Sequence, residues 1–231
     1  MHATLDFKDL SRHMIEVSSG TIVMRDDRLQ KSWTVTIKPF LICRYQVTKS
    51  FYAKVMGVSV PSVANDDEPM ETVSWLDAAR FCNRLSSMAK LRHRYDFSSD
   101  GQNALAVGRS DGFRLPSEAE WEFACRAGTK GPRYGPIGDI AWYRENSEGT
   151  PKAVGTKRPN DWGLHDMLGN VWEWCEDVYD PSVYGTYRIF RGGGWADTDR
   201  SCLATNRRRS HPTFAIDDLG FRLARSCSMS A

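Results

Sequence analysis

No stretch of this 231-residue chain is apolar for long enough to cross a membrane. Residues 1–10 lack an apolar segment of the length a signal peptide needs. An excess of one charge is also missing: 31 Lys and Arg stand against 29 Asp and Glu, a net charge of +2. That balance is too near neutral to argue for nucleic acid as a partner. The cysteines, at 43, 82, 125, 175, 202 and 227, include no Cys-x-x-Cys pair, which argues against a zinc ribbon. The five histidines form no ligand cluster. These absences predict a cytoplasmic protein in a reducing setting, with neither membrane nor nucleic acid as partner. Its cysteines are expected to be free and mostly in the core. Their even number leaves disulfides possible without arguing for them.

What is present is aromatic bulk and turn residues: eight tryptophans and 18 glycines, with 41% hydrophobic and 26% charged residues. This composition predicts a globular, loop-rich fold fixed by aromatic anchors. No internal repeat, no domain boundary and no alternation of strands with helices is visible, so residues 1–231 read as one domain. Residues 163–174 are the centre of the pattern. Trp172 and Trp174 bracket Glu173, and Gly163, Gly169 and Asn170 interrupt the apolar run. The stretch is too glycine-rich for a helix and too irregular for a strand, so it reads as a compact core loop. Asp166 and Glu173 inside it need partners or a metal.

Along the chain, residues 14–24 read as strand, turn and strand about Ser19-Gly20. Trp33, Val35 and Ile37 alternate with polar residues as in a half-buried strand, and residues 40–45 resume an extended run. Thr48 caps a short helix that Gly57 stops; residues 58–70 read as a surface loop. Ser74 and Asp77 open a longer helix with Trp75, Ala78, Ala79, Cys82 and Leu85 on its inner stripe. Residues 95–112, polar with Gly and Asp, suggest a hairpin or an excursion. Ser117 and Glu120 form a capping box ahead of Trp121, Ala124 and Cys125. Glu118, Glu120 and Glu122 could pass for catalytic carboxylates; helix-start electrostatics and an ion pair to Arg114 explain them more simply. Residues 187–190 and 220–224 read as short strands, with 196–218 mostly polar between them. The run Arg207-Arg208-Arg209 reads as a solvated face.

Several segments together carry a resemblance: Val73-Ser74-Trp75, Phe113-Arg114-Leu115-Pro116-Ser117-Glu118-Ala119-Glu120-Trp121-Glu122, Asn160-Asp161-Trp162-Gly163-Leu164-His165-Asp166-Met167, Gly169-Asn170-Val171-Trp172-Glu173-Trp174, Arg191-Gly192-Gly193-Gly194-Trp195 and Gly220-Phe221-Arg222. The chain resembles the formylglycine-generating enzyme, or sulfatase-modifying factor, family. The resemblance implies an α+β, elaborated C-type-lectin-like fold: a twisted sheet, two or three helices and much irregular loop. Enzymes of this family bind copper through two cysteines in the loop after the glycine turn and oxidise a protein cysteine. Here Asp197 stands where one of those cysteines is expected, the second has no counterpart, and Cys202 alone remains. One thiolate cannot make the two-thiolate site that soft Cu(I) prefers. Iron-dependent relatives draw histidines from a separate helical domain that has no counterpart here.

A non-enzymatic branch of the fold comprises the variable proteins of diversity-generating retroelements, whose C-terminal loops display randomised side chains. The loop after Trp195 resembles that branch. The resemblance makes Trp195, Ala196, Asp197, Thr198, Asp199, Ser201, Leu203, Arg207, Arg209, His211, Phe214 and Ile216 the expected binding residues for a protein or other large ligand. These side chains should cluster on one exposed surface, with Leu203 and Phe214 the candidates to turn inward instead. The family's calcium site, carried over, would use the Asp166 and Glu173 carboxylates with the Gly169 and Val171 carbonyls, hard oxygens suited to Ca2+. The other reading of Asp166 and Glu173 is pairing with core arginines. Three functions therefore stand at this point: a ligand-binding protein without catalysis, an oxidoreductase of the family acting on a protein or peptide cysteine, and an inactive accessory member.

Overall fold

The computed structural model describes residues 7–26, 29–59, 67–108 and 110–227. A one-and-a-half-turn helix α1 (Phe7–Arg12) precedes β1 (Met14–Val17), β2 (Gly20–Asp26), β3 (Lys31–Ile37) and β4 (Phe40–Cys43). The strand–turn–strand reading about Ser19-Gly20 holds. β2 and β3 form a long hairpin, Gly20 opposite Ile37 through Asp26 opposite Lys31. Helix α2 (Lys49–Met56) begins at Thr48, whose hydroxyl accepts the Phe51 N–H, and ends at Gly57 in the left-handed region. Of the expected loop at 58–70, residues 60–66 lie outside the described residues.

Helix α3 (Trp75–Met88) starts where Ser74 accepts the Asp77 N–H, and its expected stripe is buried. The expected hairpin is β5 (Tyr95–Phe97) with β6 (Ala104–Ala106). After β7 (Phe113–Arg114), α4 (Glu118–Arg126) carries both halves of the capping box at Ser117 and Glu120. Glu120 also pairs with Arg114 at 2.6 Å, as the simpler reading of the acidic run required. A single turn, α5 (Ile137–Ile140), interrupts the following loop.

Two expectations change in the last third. Residues 163–174 are loop only as far as Val171, because Trp172–Val178 is β8, an inner strand of the sheet. Its first four residues are all buried, so both faces are covered and no polar alternation marks it. After the short α6 (Pro181–Tyr184) and β9 (Arg188–Arg191), the arginine run forms β10 (Arg207–Ser210), a strand the sequence reading did not contain. The expected final strand divides into β11 (Leu219–Gly220), parallel to β8, and β12 (Ala224–Ser226), which lies between β4 and β7.

The two four-stranded sheets run β1-β4-β12-β7 and β10-β9-β8-β11. The second divides two apolar cores. Trp172, Trp174 and Phe190 join α3 residues such as Trp75 and Phe81 in one. Cys175 and Ile189 join Trp121 of α4 and Ile22, Met24 and Ile37 of the hairpin in the other. Successive residues of β8 and β9 thus serve opposite cores, as the two-residue period of a strand requires. All five of Cys43, Cys82, Cys125, Cys175 and Cys202 are buried and free, and Cys227 is half-buried and free. No helix among the described residues is long and apolar enough to cross a membrane.

Candidate functional site: the loop after the glycine turn

The loop leaves β9 at Arg191, which is fully buried, bonds the Glu122 carboxylate and donates to the Ala204 and Asn206 carbonyls at 2.8 Å each. Gly192 and Gly193 follow with φ of 104° and 83°. A Cβ on Gly193 would lie 2.8 Å from the Cys202 Sγ, so only glycine lets the turn close onto that cysteine. Burial, and then the nearby Asp197 carboxylate, push the Cys202 thiol up to about 12. It is a packed, protonated core thiol.

From Trp195 to Cys202 the path of the loop is fixed from outside, largely through its main chain. The Trp195 N–H donates to the Asn170 carbonyl at 2.7 Å, and Ser147 donates to the Trp195 carbonyl at 3.0 Å. Arg144 holds two more carbonyls, Ala196 through Nε and Asp197 through its main-chain N–H, each at 2.9 Å. Arg133 reaches the carbonyls of Asp199 and Cys202.

The expected display residues do not all face one way. Trp195, Ala196, Asp197, Thr198, Asp199 and Leu203 are half-buried, while His211 and Phe214 are exposed. Asp197 is partly committed: its Oδ2 accepts Trp172 Nε1 at 2.6 Å and the Gly194 N–H at 3.1 Å, and its Oδ1 pairs with Arg208 at 3.1 Å. Three residues correct the expectation of a wholly exposed surface. Ser201 is buried, and Ile216 packs against the first core. Arg207 turns inward, giving Nε and Nη2 to Glu118 at 2.5 and 2.8 Å and Nη1 to Asp26 at 2.8 Å. Register explains the split. Arg207 and Arg209 stand opposite Arg191 and Ile189, on the α4 side of the sheet, and Arg208 stands opposite Phe190, where its guanidinium lies 4.6 Å from the Trp172 ring. Arg208, which is exposed, is thus part of the face although sequence reasoning left it out, and the fully buried Trp172 supports it. On the opposite side of the sheet, Arg209 covers the rings of Tyr179 and Tyr184 at 4.6 and 4.0 Å; three tyrosines within residues 179–187 were the available signal.

Two of the four oxygens carried over for calcium, the Val171 carbonyl and Glu173 Oε1, meet around a protein donor. Gln46 Nε2 lies 3.2 Å from the Asp166 carbonyl, 3.0 Å from the Val171 carbonyl and 3.0 Å from Glu173 Oε1. Glu173 also accepts Arg222 Nε and Nη2 at 2.6 Å each and Trp121 Nε1 at 2.7 Å. Asp166 Oδ2 takes the Gly155 N–H at 2.7 Å, and its buried Oδ1 has no partner. Burial raises that carboxyl to about 6. Gly169 completes the tight turn, with φ of 77° and no room for a Cβ against the Trp142 carbonyl. A cation at this point would have to displace the Gln46 amide and share Glu173 with a guanidinium. The arrangement does not fit calcium; Glu173 instead has the arginine partner of the alternative reading. Nor does any group of three or more His, Cys, Asp or Glu side chains among the described residues have metal-binding geometry.

Residues 6–227 match the sulfatase-modifying factor enzyme 1-like domain, and the chain belongs to that family. The inactive C-alpha-formylglycine-generating enzyme 2 of Bos taurus is 36% identical over 82% of this chain and 78% of its own length. The chaperone protein LppX of Paenibacillus barcinonensis is 28% identical over 83% of this chain and 82% of its own. Among solved structures, Treponema denticola variable protein 1 superposes with a TM-score of 0.83 at 30% identity, covering 93% of this chain and 95% of that one. The fold is the α+β, C-type-lectin-like fold that the sequence motifs implied. The family therefore holds enzymes and members named as inactive.

Proposed function

We propose that this chain is a non-catalytic binding protein that presents the loop after Trp195 to a protein or other large ligand, in the manner of a diversity-generating retroelement variable protein. The observation that carries the reading is the way the loop is held. Arg133, Arg144 and Ser147 grip carbonyls at Trp195, Ala196, Asp199 and Cys202. Every residue type has a carbonyl, so side chains there can change while the path stays. A pre-shaped loop of this kind lowers the ordering cost of binding. Its side chains offer aromatic, acidic and hydroxyl contacts. The likeness to a solved variable protein supports the same reading. The display set is Trp195, Ala196, Asp197, Thr198, Asp199, Leu203, Arg209, His211 and Phe214, joined by Arg208.

The test is a panel of proteins substituted together at Ala196, Thr198, Asp199, His211 and Phe214. Each change should move stability by less than about 0.5 kcal/mol, the range for surface sites, so unfolding midpoints should stay near the parent's. General unfolding or aggregation across the panel would make the segment core structure and end this reading. The oxidase alternative has its own check. Asp197 and the buried Cys202 thiol do not form a soft two-thiolate site. After Cu(I) loading and desalting, elemental analysis should find less than one equivalent. Tight one-to-one copper that disappears in Cys202→Ala would revive the enzyme.

A further inference from the structure

The three arginines of β10 differ in one respect. Arg207 is neutralised by Glu118 and Asp26, and Arg208 by Asp197. Arg209 has no carboxylate within ion-pair distance and no hydrogen-bond acceptor among the described residues, and its Nε is buried without a partner. Its guanidinium is nonetheless held in place, stacked 4.0 Å from the Tyr184 ring centre and 4.6 Å from that of Tyr179. Tyr187 lies beside Tyr184 at 5.9 Å, and the exposed His211 lies 6.1 Å from Tyr187.

We propose that Arg209 is the recognition point for a carboxylate, an Asp or Glu side chain in an acidic segment of a protein partner. The proposal rests on the binding function above and names the chemistry of one member of that display set. A guanidinium presents a planar fork of donors that matches a carboxylate through two parallel bonds. Stacking on two rings fixes the fork before the ligand arrives, and the rings reduce competition from water. The charge selects the ligand. One uncompensated positive charge matches the single negative charge of a carboxylate. A phosphate, with nearly two, would be left with unmatched charge, because Arg207 and Arg208 are already engaged. Tyrosine and arginine are both enriched at the energetic centres of interfaces.

The probe is a fluorescein-labelled hexaglutamate peptide, titrated by anisotropy at low salt beside hexalysine and a phosphoserine peptide of equal length. Hexaglutamate should bind best. Arg209→Ala should weaken it at least tenfold, Arg209→Lys should recover part of the loss, and Arg92→Ala, which removes an exposed arginine outside the display set, should stay within twofold of the parent. If Arg209→Ala fails to fold, Arg209→Gln keeps a planar donor without the charge and should show the same loss. Equal binding by parent and folded Arg209 variants, no binding of hexaglutamate at millimolar concentration, or tighter binding of the phosphopeptide would overturn the proposal. Those outcomes leave the display reading standing if the loop panel folds. Collapse of the panel removes the display reading, whereas the Arg209 titrations would still report on the carboxylate.

Discussion

At the scale of single residues, Trp172 ties the scaffold to the loop. Its ring is fully buried, set edge-on to Phe190 at 5.3 Å, and its Nε1 donates to Asp197. Trp172→Ala should cost roughly 3–5 kcal/mol, as for other large buried aromatics. Trp172→Phe should cost less while still releasing the Asp197 carboxylate. Urea midpoints of the two variants give the comparison, and a parent-like midpoint for Trp172→Ala would contradict the burial. The sequence pointed to Trp172 because a tryptophan in a glycine-punctuated loop has little to do but fill space. It could not point to the fate of Arg207, whose partners Glu118 and Asp26 lie 89 and 181 residues away. A run of three arginines looks solvated until pairing decides which of them faces inward.

Among the elements, capped helices were the most legible, because Thr48, Ser74 and Ser117 declare their ends through local chemistry. Strands covered on both faces, such as β8, lack the alternation that identifies a strand. The glycine turn combines both lessons: its sequence marks a turn, and only the structure shows what the turn closes upon. Gly193→Ala would have to accommodate φ of 83° and a Cβ at 2.8 Å from Cys202 Sγ. Strain and overpacking together predict a loss of roughly 2–5 kcal/mol. Gly57→Ala is the control: it has φ of 65°, and its nearest neighbour would be the end of Arg84 at 3.4 Å. It should lose only about 1 kcal/mol. Thermal midpoints that rank the two variants in the reverse order would refute the account of the turn.

For the molecule as a whole, the fold was readable because its motifs are many and widely spaced. The core around Asp166 and Glu173 was only half readable, because Gln46, which faces both, is more than a hundred residues away. That core predicts a pH effect. Burial raises the Asp166 carboxyl to about 6, above the usual carboxylate value. The folded state therefore holds this proton more tightly than the unfolded chain does. The resulting stability is fully present below about pH 4 and is lost as pH rises through about 6. Asp166→Asn keeps an acceptor for Gly155 and removes the titration. Relative to the parent, it should gain about 1–2 kcal/mol between pH 5 and pH 7.5, at 1.4 kcal/mol per pH unit of mismatch. Urea unfolding at the two pH values measures the difference, and a constant offset would contradict it.

The sheet that parts the two cores also sets the grammar of change along β10. Arg208 answers to Trp172 and Asp197, whereas Arg207 and Arg209 answer to Glu118, Tyr179 and Tyr184 on the other side. In a scan of paired substitutions, epistasis should therefore skip a position: 207 and 209 share a neighbourhood through Tyr179, while 208 varies independently of both. Contiguous codons would behave as two separate loci, and a randomised block across them would explore two surfaces at once.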